Sequence, residues 1–180
     1  IQVKAFTAAE IDYFWRRWRI PPEESLARLR AAGLDLLAGG GAEVLSDRLH
    51  RLLFPGKAGP ARWLEIHRTA HRMGIRSNAT MMFGHWETPE ERLQHLLLLR
   101  ELQDGAQDRV VVGGLEGLIR NLARPFPKLL ELFEGYGEKG PEERKRVLEE
   151  ALRFLEDGLP QAPPPPPKPP SRLRPEDPAH

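Results

Sequence analysis

The chain contains no cysteine among its 180 residues. It therefore forms no disulfide and offers no thiolate as a nucleophile or as a ligand for zinc or iron–sulfur clusters. No window of 18 consecutive apolar residues occurs, so no membrane span is predicted. No basic segment followed by an apolar one stands at the start, so no secretory signal is predicted either. The first residue, Ile1, already lies in strand-like sequence, which suggests that a further part of the protein precedes it.

An excess of charge of either sign is also missing. The 27 Lys and Arg residues face 26 Asp and Glu residues, which leaves a net charge of +1 and argues against a nucleic-acid binder. Apolar residues make up 40% of the chain, and with glycine the share is that of ordinary globular domains. Ten of the 18 prolines lie in residues 159–180, which are predicted to form a disordered polyproline tail.

The spacing of apolar residues predicts an α/β fold. Short strands are predicted at residues 1–6, 34–38 and 75–83, and helices at residues 8–18, 22–33, 44–54, 60–73 and 88–104. Thr7 with Glu10 has the pattern of a capping box, and Thr88 followed by Pro89 has that of a helix start. The order β-α-α-β-α-α-β-α is typical of a parallel sheet covered by helices, in which ligands bind at the carboxyl ends of the strands.

After residue 104 the pattern changes to a divergent, mostly helical segment. A fourth strand is predicted at residues 110–112, and helices at residues 115–123, 128–133 and 141–157. The last helix has an apolar face of Leu148, Leu152 and Leu155, which is expected to cover part of the sheet. The domain boundaries predicted from these patterns are 1–104, 105–158 and 159–180.

The predicted strand ends contain the residues best suited to bind a ligand. They are Lys4 on the first strand, Gly39, Gly40, Gly41 and Glu43 after the second, and His85 and Glu87 after the third. Three glycines let the backbone approach a ligand and expose N–H donors to it, and an acid beyond them can bind ribose hydroxyls or an amino group. His85 and Glu87 share parity on a segment expected to be extended, so they should project to one side. A plain turn is the alternative explanation of the glycines.

Several long motifs resemble a known family. LDLLAGGGAEVLSDRL, PGK and WLEIHRTAHRMGIRSNATMMFGHWETPEERLQHLLLLRELQD resemble the radical S-adenosylmethionine (SAM) enzymes of menaquinone and deazaflavin biosynthesis. EIHRTAH at residues 65–71 and RSNATMM at residues 76–82 are most similar to aminofutalosine synthase of the futalosine pathway. KAFTAAEIDYF at residues 4–14 is similar to the third barrel strand and helix of that family. The resemblance covers about residues 2–104, and it extends to FO synthase and dehypoxanthine futalosine cyclase.

The resemblance implies a partial (β/α)6 barrel consisting of the third to fifth strands and their helices. In the family, a CxxxCxxC loop binds a 4Fe–4S cluster that chelates SAM. The 5′-deoxyadenosyl radical then adds to the enolpyruvyl double bond of a chorismate-derived substrate. By position, Gly39, Gly40, Gly41 and Glu43 would line the cofactor side, whereas Lys4, His85 and Glu87 would face the barrel mouth. A cytoplasmic enzyme acting on a small molecule is implied.

The chain also departs from the family pattern. The first two strands and the cluster cysteines are missing, so the chain alone is expected to bind no cluster and to be incomplete for catalysis. Ala38 stands where the family usually has Pro, and GAQDRVVVGG after residue 104 does not match the sixth strand. Two alternatives remain: a non-catalytic α/β remnant acting as an interaction module, or a truncated or frame-shifted product.

Three further features have weaker functional interpretations. His67 and His71 have the i, i+4 spacing of a zinc site, but Arg68 occupies the acidic position of HExxH and a packed helix face is preferred, so no metal ligand is assigned. Residues 163–170 could dock an SH3-type groove, although a disordered tail is preferred. The edge of the first strand is expected to allow self-association, and neither nucleic acid nor membrane is expected as a partner.

Overall fold

A computed structural model describes residues 1–106 and 115–158. Strands β1 (Lys4–Thr7), β2 (Leu36–Ala38) and β3 (Arg76–Ser77) form a parallel sheet in the order β1-β2-β3. The helices are α1 (Ala8–Trp18), α2 (Pro22–Ala31), α3 (Asp47–Leu53), α4 (Pro60–Arg72), α5 (Pro89–Asp104), α6 (Leu115–Leu122), α7 (Pro127–Leu132) and α8 (Pro141–Gly158). The α/β class with parallel strands is confirmed. A closed barrel is not present, because the described strands form an open sheet.

Side-chain caps fix where two of the helices begin. The Thr7 hydroxyl accepts the Ala9 N–H, and the Glu10 carboxylate accepts the Thr7 N–H at 2.7 Å. At α5, Thr88 and Glu91 make the same reciprocal pair. Each capping box satisfies N–H groups that the first helical turn leaves without partners. Both helix starts are therefore at the residues that the sequence predicts.

The predicted bounds differ from the structure mainly around the strands. The strand predicted over residues 75–83 is only Arg76–Ser77, because its partner β2 ends at Ala38 and turns away at the glycines. The helix predicted over residues 44–54 begins at Asp47, since the Ser46 hydroxyl caps it through the Leu49 N–H. The predicted strand 110–112 and the tail 159–180, including residues 163–170, lie outside the described residues.

The sheet has one covered and one open face. Leu37 is fully buried, and Ser77 on the neighbouring strand is buried and contacts His71 of α4. The first hydrophobic core lies on this side and joins the sheet to α1, α2 and α4, with Ile11, Leu26 and Trp63 at its centre. Residues of opposite parity point away from these helices.

A second hydrophobic core lies beyond α5. Leu93, Leu96 and Leu97 of α5 pack against α6, α7 and α8, where Leu148 and Leu155 are buried. The C-terminal helices thus cover α5, and the expectation that their apolar face covers the sheet is wrong. Helix α5 also contributes Leu102 to the first core. Among the described residues, no helix combines the length and the hydropathy that crossing a membrane requires.

Candidate functional site

The carboxyl ends of the three strands converge at the glycine turn. The Gly39 N–H donates to Asn78 Oδ1 at 2.9 Å, and the Thr80 hydroxyl donates to the Gly39 carbonyl at 3.2 Å. On the other side, the Gly40 position faces Thr7 at the end of β1. The turn is thus held between the ends of β1 and β3, which is the edge where ligands bind in parallel sheets.

Two of the three glycines are required by the fold, each for a different reason. A Cβ on Gly39 would overlap with the backbone carbonyl of Asn78, so this position is a close backbone contact. Gly41 has a φ of +85°, a left-handed conformation that favours glycine. A Cβ on Gly40 would only touch the Thr7 methyl group at 3.4 Å. Gly40 does not have a positive φ, because the chain reverses at Gly41.

The turn presents backbone donors to solvent. Gly40 and Gly41 are partly exposed, and neither N–H donates to a protein acceptor among the described residues. The Gly40 carbonyl is occupied, since it accepts the indole N–H of Trp63 at 3.2 Å. Two N–H groups without covering side chains form a surface that a polar ligand can approach.

Glu43 lies immediately beyond the turn, with its backbone in the left-handed region at φ +50°. Its carbonyl accepts the Met82 N–H at 2.9 Å, and its carboxylate pairs with the Lys57 ammonium at 3.2 Å. The carboxylate is partly exposed. A ligand that bound Glu43 through hydroxyl or amino groups would therefore compete with Lys57.

Helix α5 holds the segment that follows the glycine turn. Glu91 is 1% exposed and binds Arg48 through two contacts, at 2.9 Å to Nε and 2.6 Å to the terminal nitrogen. The Ser46 hydroxyl donates to the same carboxylate at 2.6 Å. Burial raises the pKa of Glu91, but the hydrogen bonds from Arg48, Ser46 and the Thr88 N–H outweigh it and lower the pKa. Glu91 thus stays ionised and fixes the turn to α5.

The loop after β3 is anchored by Glu87. Its carboxylate accepts the N–H groups of Gly84 at 2.6 Å and His85 at 2.9 Å, and the Arg92 Nε–H at 2.8 Å. Burial raises the pKa of Glu87, but these hydrogen bonds and its own N–H outweigh it and lower the pKa to about 2. Glu87 therefore stabilises the loop by accepting hydrogen bonds from its backbone.

His85 lies beside Glu87 on this loop, with 3.2 Å between Nδ1 and Oε2. The Trp86 N–H donates to Nδ1 at 2.7 Å, and Nε2 lies 3.1 Å from the Met82 carbonyl. The tautomer that fits these partners has its proton on Nε2 and accepts the Trp86 N–H at Nδ1. The segment is bent rather than extended, so the two side chains meet without projecting together from a strand. Their role at a barrel mouth stays a prediction.

Lys4 lies on the open face of the sheet. Lys4 of β1 pairs with Leu36 of β2, and Leu36 pairs in turn with Arg76 of β3. Lys4 and Arg76 are both exposed. Lys4 is the first residue of β1, and its role at a barrel mouth stays a prediction. Arg76 was not among the predicted site residues. Arg76 is two positions before Asn78 in the motif RSNATMM, so both lie on the same side of a strand. This shared side is the sequence signal that could have identified Arg76.

His67 and His71 belong to the packed face of α4. The His67 ring is fully buried and stacks on Trp63 with 3.7 Å between ring centroids. Burial, together with the nearby His71, lowers the pKa of His67 to about 3. His71 Nε2 lies 2.8 Å from the Ser77 hydroxyl, and burial lowers its pKa. No group of three potential metal ligands occurs in the described ranges.

The residues present fit the two family cofactors unequally. A 4Fe–4S cluster requires thiolate ligands, and the sequence has no cysteine, so this chain does not fit the cluster. The glycine turn does fit a polar ligand such as SAM, because it combines two N–H donors with the absence of a Cβ at Gly40. The sequence prediction missed Asn78, Trp63 and Glu91, which shape this turn without touching its open side.

Comparison with known proteins relates this segment to named enzymes. The chain is 54% identical over 104 residues to aminodeoxyfutalosine synthase of Thermus thermophilus, covering 58% of this chain and 28% of that protein. It is 46% identical over 103 residues to 5-amino-6-(D-ribitylamino)uracil–L-tyrosine 4-hydroxyphenyl transferase 1 of Methanosarcina mazei. The match covers 57% of this chain and 27% of that protein. It is 40% identical over 102 residues to cyclic dehypoxanthine futalosine synthase of Streptomyces coelicolor. The match covers 57% of this chain and 26% of that protein.

The chain is a partial relative of the radical SAM enzymes of the aminofutalosine synthase type. The resemblance stated from the motifs is thereby confirmed. The chain spans about a quarter of the length of the curated relatives it matches. No family model matches it.

Proposed function

We propose that this chain provides the SAM-facing and substrate-facing strands of an aminofutalosine synthase-type radical SAM enzyme, located in the cytoplasm. The proposal rests on one observation: the glycine turn at the carboxyl edge is held by Asn78, Trp63 and Thr7 and has two N–H donors without an acceptor in the described part of the chain. The 54% identity to aminodeoxyfutalosine synthase supports the assignment. Glu43 would take part in cofactor binding after releasing Lys57.

The proposed substrate is a small, chorismate-derived enolpyruvyl compound, which by definition carries a carboxylate. L-Tyrosine, in the name of the Methanosarcina relatives, likewise joins an aromatic ring to a carboxylate. SAM held at the glycine turn would supply the 5′-deoxyadenosyl group for such a substrate. Because the chain has no cysteine, the reductive cleavage of SAM lies outside what its own residues can perform.

Calorimetry with SAM tests the proposal on the 180-residue chain. We expect weak binding, with a dissociation constant on the order of millimolar. Gly40→Val should weaken it at least about tenfold, because a branched side chain would stand beside the two N–H donors. The matched control is Gly59→Ala, where an added Cβ meets nothing within 4 Å, and it should bind as the parent does.

Two results would contradict the proposal. Absence of SAM binding by the parent would favour the non-catalytic interaction module. Unchanged affinity in Gly40→Val would place the ligand away from the glycine turn. Thermal melts of both variants should match the parent, since Gly40 has neither a positive φ nor a backbone atom within contact of a Cβ.

A further inference from the structure

The open face of the sheet contains a row of three residues in register. Lys4 pairs with Leu36 and Leu36 pairs with Arg76 across the parallel strands. Their neighbours Leu37 and Ser77 are buried against the helices. Because successive side chains alternate between the faces of a strand, the row Lys4–Leu36–Arg76 points to the opposite side.

The two cations of this row have no anionic partner in the part of the chain that the structure describes. The exposed Arg17 likewise has no ion pair in the described ranges, whereas two less exposed arginines of the same half are paired. Arg48 binds Glu91, and Arg62 binds Asp12 and Glu65. Within the described residues, Lys4 and Arg76 are thus positive charges on one surface without an ion-pair partner.

The geometry brings both cations within reach of one small anion. Neighbouring strands lie about 4.8 Å apart, so the Cα atoms of Lys4 and Arg76 are separated by about 10 Å. Both side chains are long enough to converge above the strand between them. Leu36, which is half-buried, supplies an apolar floor between the two charges.

We infer that Lys4, Leu36 and Arg76 form a binding site for the carboxylate of a small organic acid with an apolar body. The inference rests on the proposed function, for which it assigns the residues that would recognise the acidic substrate. The guanidinium of Arg76 can bind a carboxylate through two parallel hydrogen bonds, whereas the Lys4 ammonium acts as a point charge. Phosphate shares this anionic chemistry but gains nothing from Leu36.

Benzoate is the test probe, with benzyl alcohol and inorganic phosphate as comparison probes. Binding to the full chain is followed by NMR titration of amide resonances. The double variant Lys4→Gln/Arg76→Gln removes both cations, and Arg17→Gln/Lys145→Gln is the charge-matched control on exposed helix positions. Because all four residues are exposed, each variant should melt as the parent does.

We expect the parent to bind benzoate with a dissociation constant on the order of millimolar. Affinity should fall at least about tenfold in Lys4→Gln/Arg76→Gln, by an intermediate factor in each single variant, and not in the control. Resonances of β1, β2 and β3 should shift. Benzyl alcohol should bind more weakly than benzoate because it lacks the charge, and phosphate should bind more weakly because it lacks the apolar body.

Three outcomes would overturn the inference: unchanged benzoate affinity in the double variant, equal binding of benzyl alcohol, or tighter binding of phosphate than of benzoate. The SAM calorimetry separates this from the proposed function. SAM binding with unchanged benzoate affinity in the double variant would remove the carboxylate site and leave the proposed function intact. Charge-dependent benzoate binding without SAM binding would remove the proposed function and leave the carboxylate site intact.

Discussion

The Nδ1 atom of His95 accepts the Leu45 N–H at 3.1 Å inside the protein. This bond ties α5 to the segment beyond the glycine turn, and it assigns the imidazole proton to Nε2, which is buried without a partner among the described residues. Burial lowers the pKa of His95 to about 4. His95 must therefore stay neutral for the turn to keep its position.

Stability should fall as the pH drops below about 6.5, because neutral His67 and His95 are protonated more readily in the unfolded chain. Their folded pKa values are about 3 and about 4. Each thus contributes up to about 1.4 kcal/mol of lost stability per pH unit, from the unfolded pKa of about 6.5 down to its folded pKa. Urea unfolding at pH 7, 6 and 5 measures this slope.

The variant His67→Phe keeps an aromatic ring against Trp63 but removes one titrating group. Its slope between pH 6 and pH 5 should be shallower than that of the parent by about 1 kcal/mol per pH unit. Leu64→Met, a change of similar volume on the same helix, should leave the slope unchanged. Equal slopes in His67→Phe and the parent would show that His67 does not titrate with folding.

The buried Arg48–Glu91 pair should show strong coupling in a double-mutant cycle. Arg48→Met leaves a buried carboxylate without its main partner, and such losses typically cost about 3–5 kcal/mol. In the double variant Arg48→Met/Glu91→Gln, the loss of unfolding free energy should be smaller than the sum of the two single losses by more than about 1 kcal/mol. The exposed pair Glu24–Arg28 is the control, with an expected coupling of about 0.3–0.5 kcal/mol. Equal coupling in both pairs would contradict the assigned role of Glu91.

Glu87→Gln should destabilise the loop at neutral pH by about 1.5–3 kcal/mol, because a charged acceptor of N–H groups is replaced by a neutral one. Since the folded pKa of Glu87 lies below the unfolded value, its stabilisation is present above about pH 4.5 and is lost as the pH falls toward 2. The variant should therefore lose less stability than the parent between pH 4.5 and pH 3. Glu90→Gln in the first turn of α5 is the control, and urea unfolding at these pH values is the measurement.

The flanking glycines should differ in their tolerance of alanine. Gly41→Ala should cost about 1–2 kcal/mol because of its positive φ. Gly39→Ala should cost more, since its Cβ would overlap with the Asn78 backbone. Gly40→Ala should stay within about 0.5 kcal/mol of the parent. Urea unfolding of the three variants gives the order, and a destabilisation that is largest at Gly40 would contradict the described turn.

Residues 1–104 expressed alone should self-associate or melt without cooperativity. Cutting there uncovers Leu93, Leu96 and Leu97, which are at most 3% exposed, and each such side chain contributes about 1.5–3 kcal/mol when buried. That loss is comparable with the whole stability of a domain, about 5–15 kcal/mol. Residues 1–158 should melt like the full chain. Sedimentation and thermal melts compare residues 1–104, residues 1–158 and the full chain. A sharp melt of monomeric 1–104 would show that α5 is stable without the C-terminal helices.

Local sequence signals predicted the helices better than the sheet. Thr7, Thr88 and Pro60 determine helix starts within a few residues of chain, so α1, α4 and α5 could be located directly. The end of β3 depends on where β2 turns away at Gly39, a contact between positions 39 residues apart. No local pattern records such a contact, and the predicted strand was therefore too long.

The same distinction applies to the candidate site. The glycines stood out in the sequence because three in a row are unusual, and the motifs around them carried the resemblance. Arg76 did not stand out, because an isolated arginine becomes notable only when register places it beside Leu36 and Lys4. Glu87 was predicted to project to the same side as His85 from an extended segment, but the segment is bent and hydrogen bonds from its own loop hold the Glu87 carboxylate.

Strand β1 passes into α1 without a connecting loop. Phe6 is an extra residue in the pairing with β2, with φ +57°, and this bulge brings Thr7 opposite Ala38. Thr7 is thus both the last residue of the strand and the cap of the helix. A single inserted or deleted residue here would rotate α1 by about 100° and carry Ile11 out of the first core. This junction should therefore tolerate changes of residue far better than changes of length.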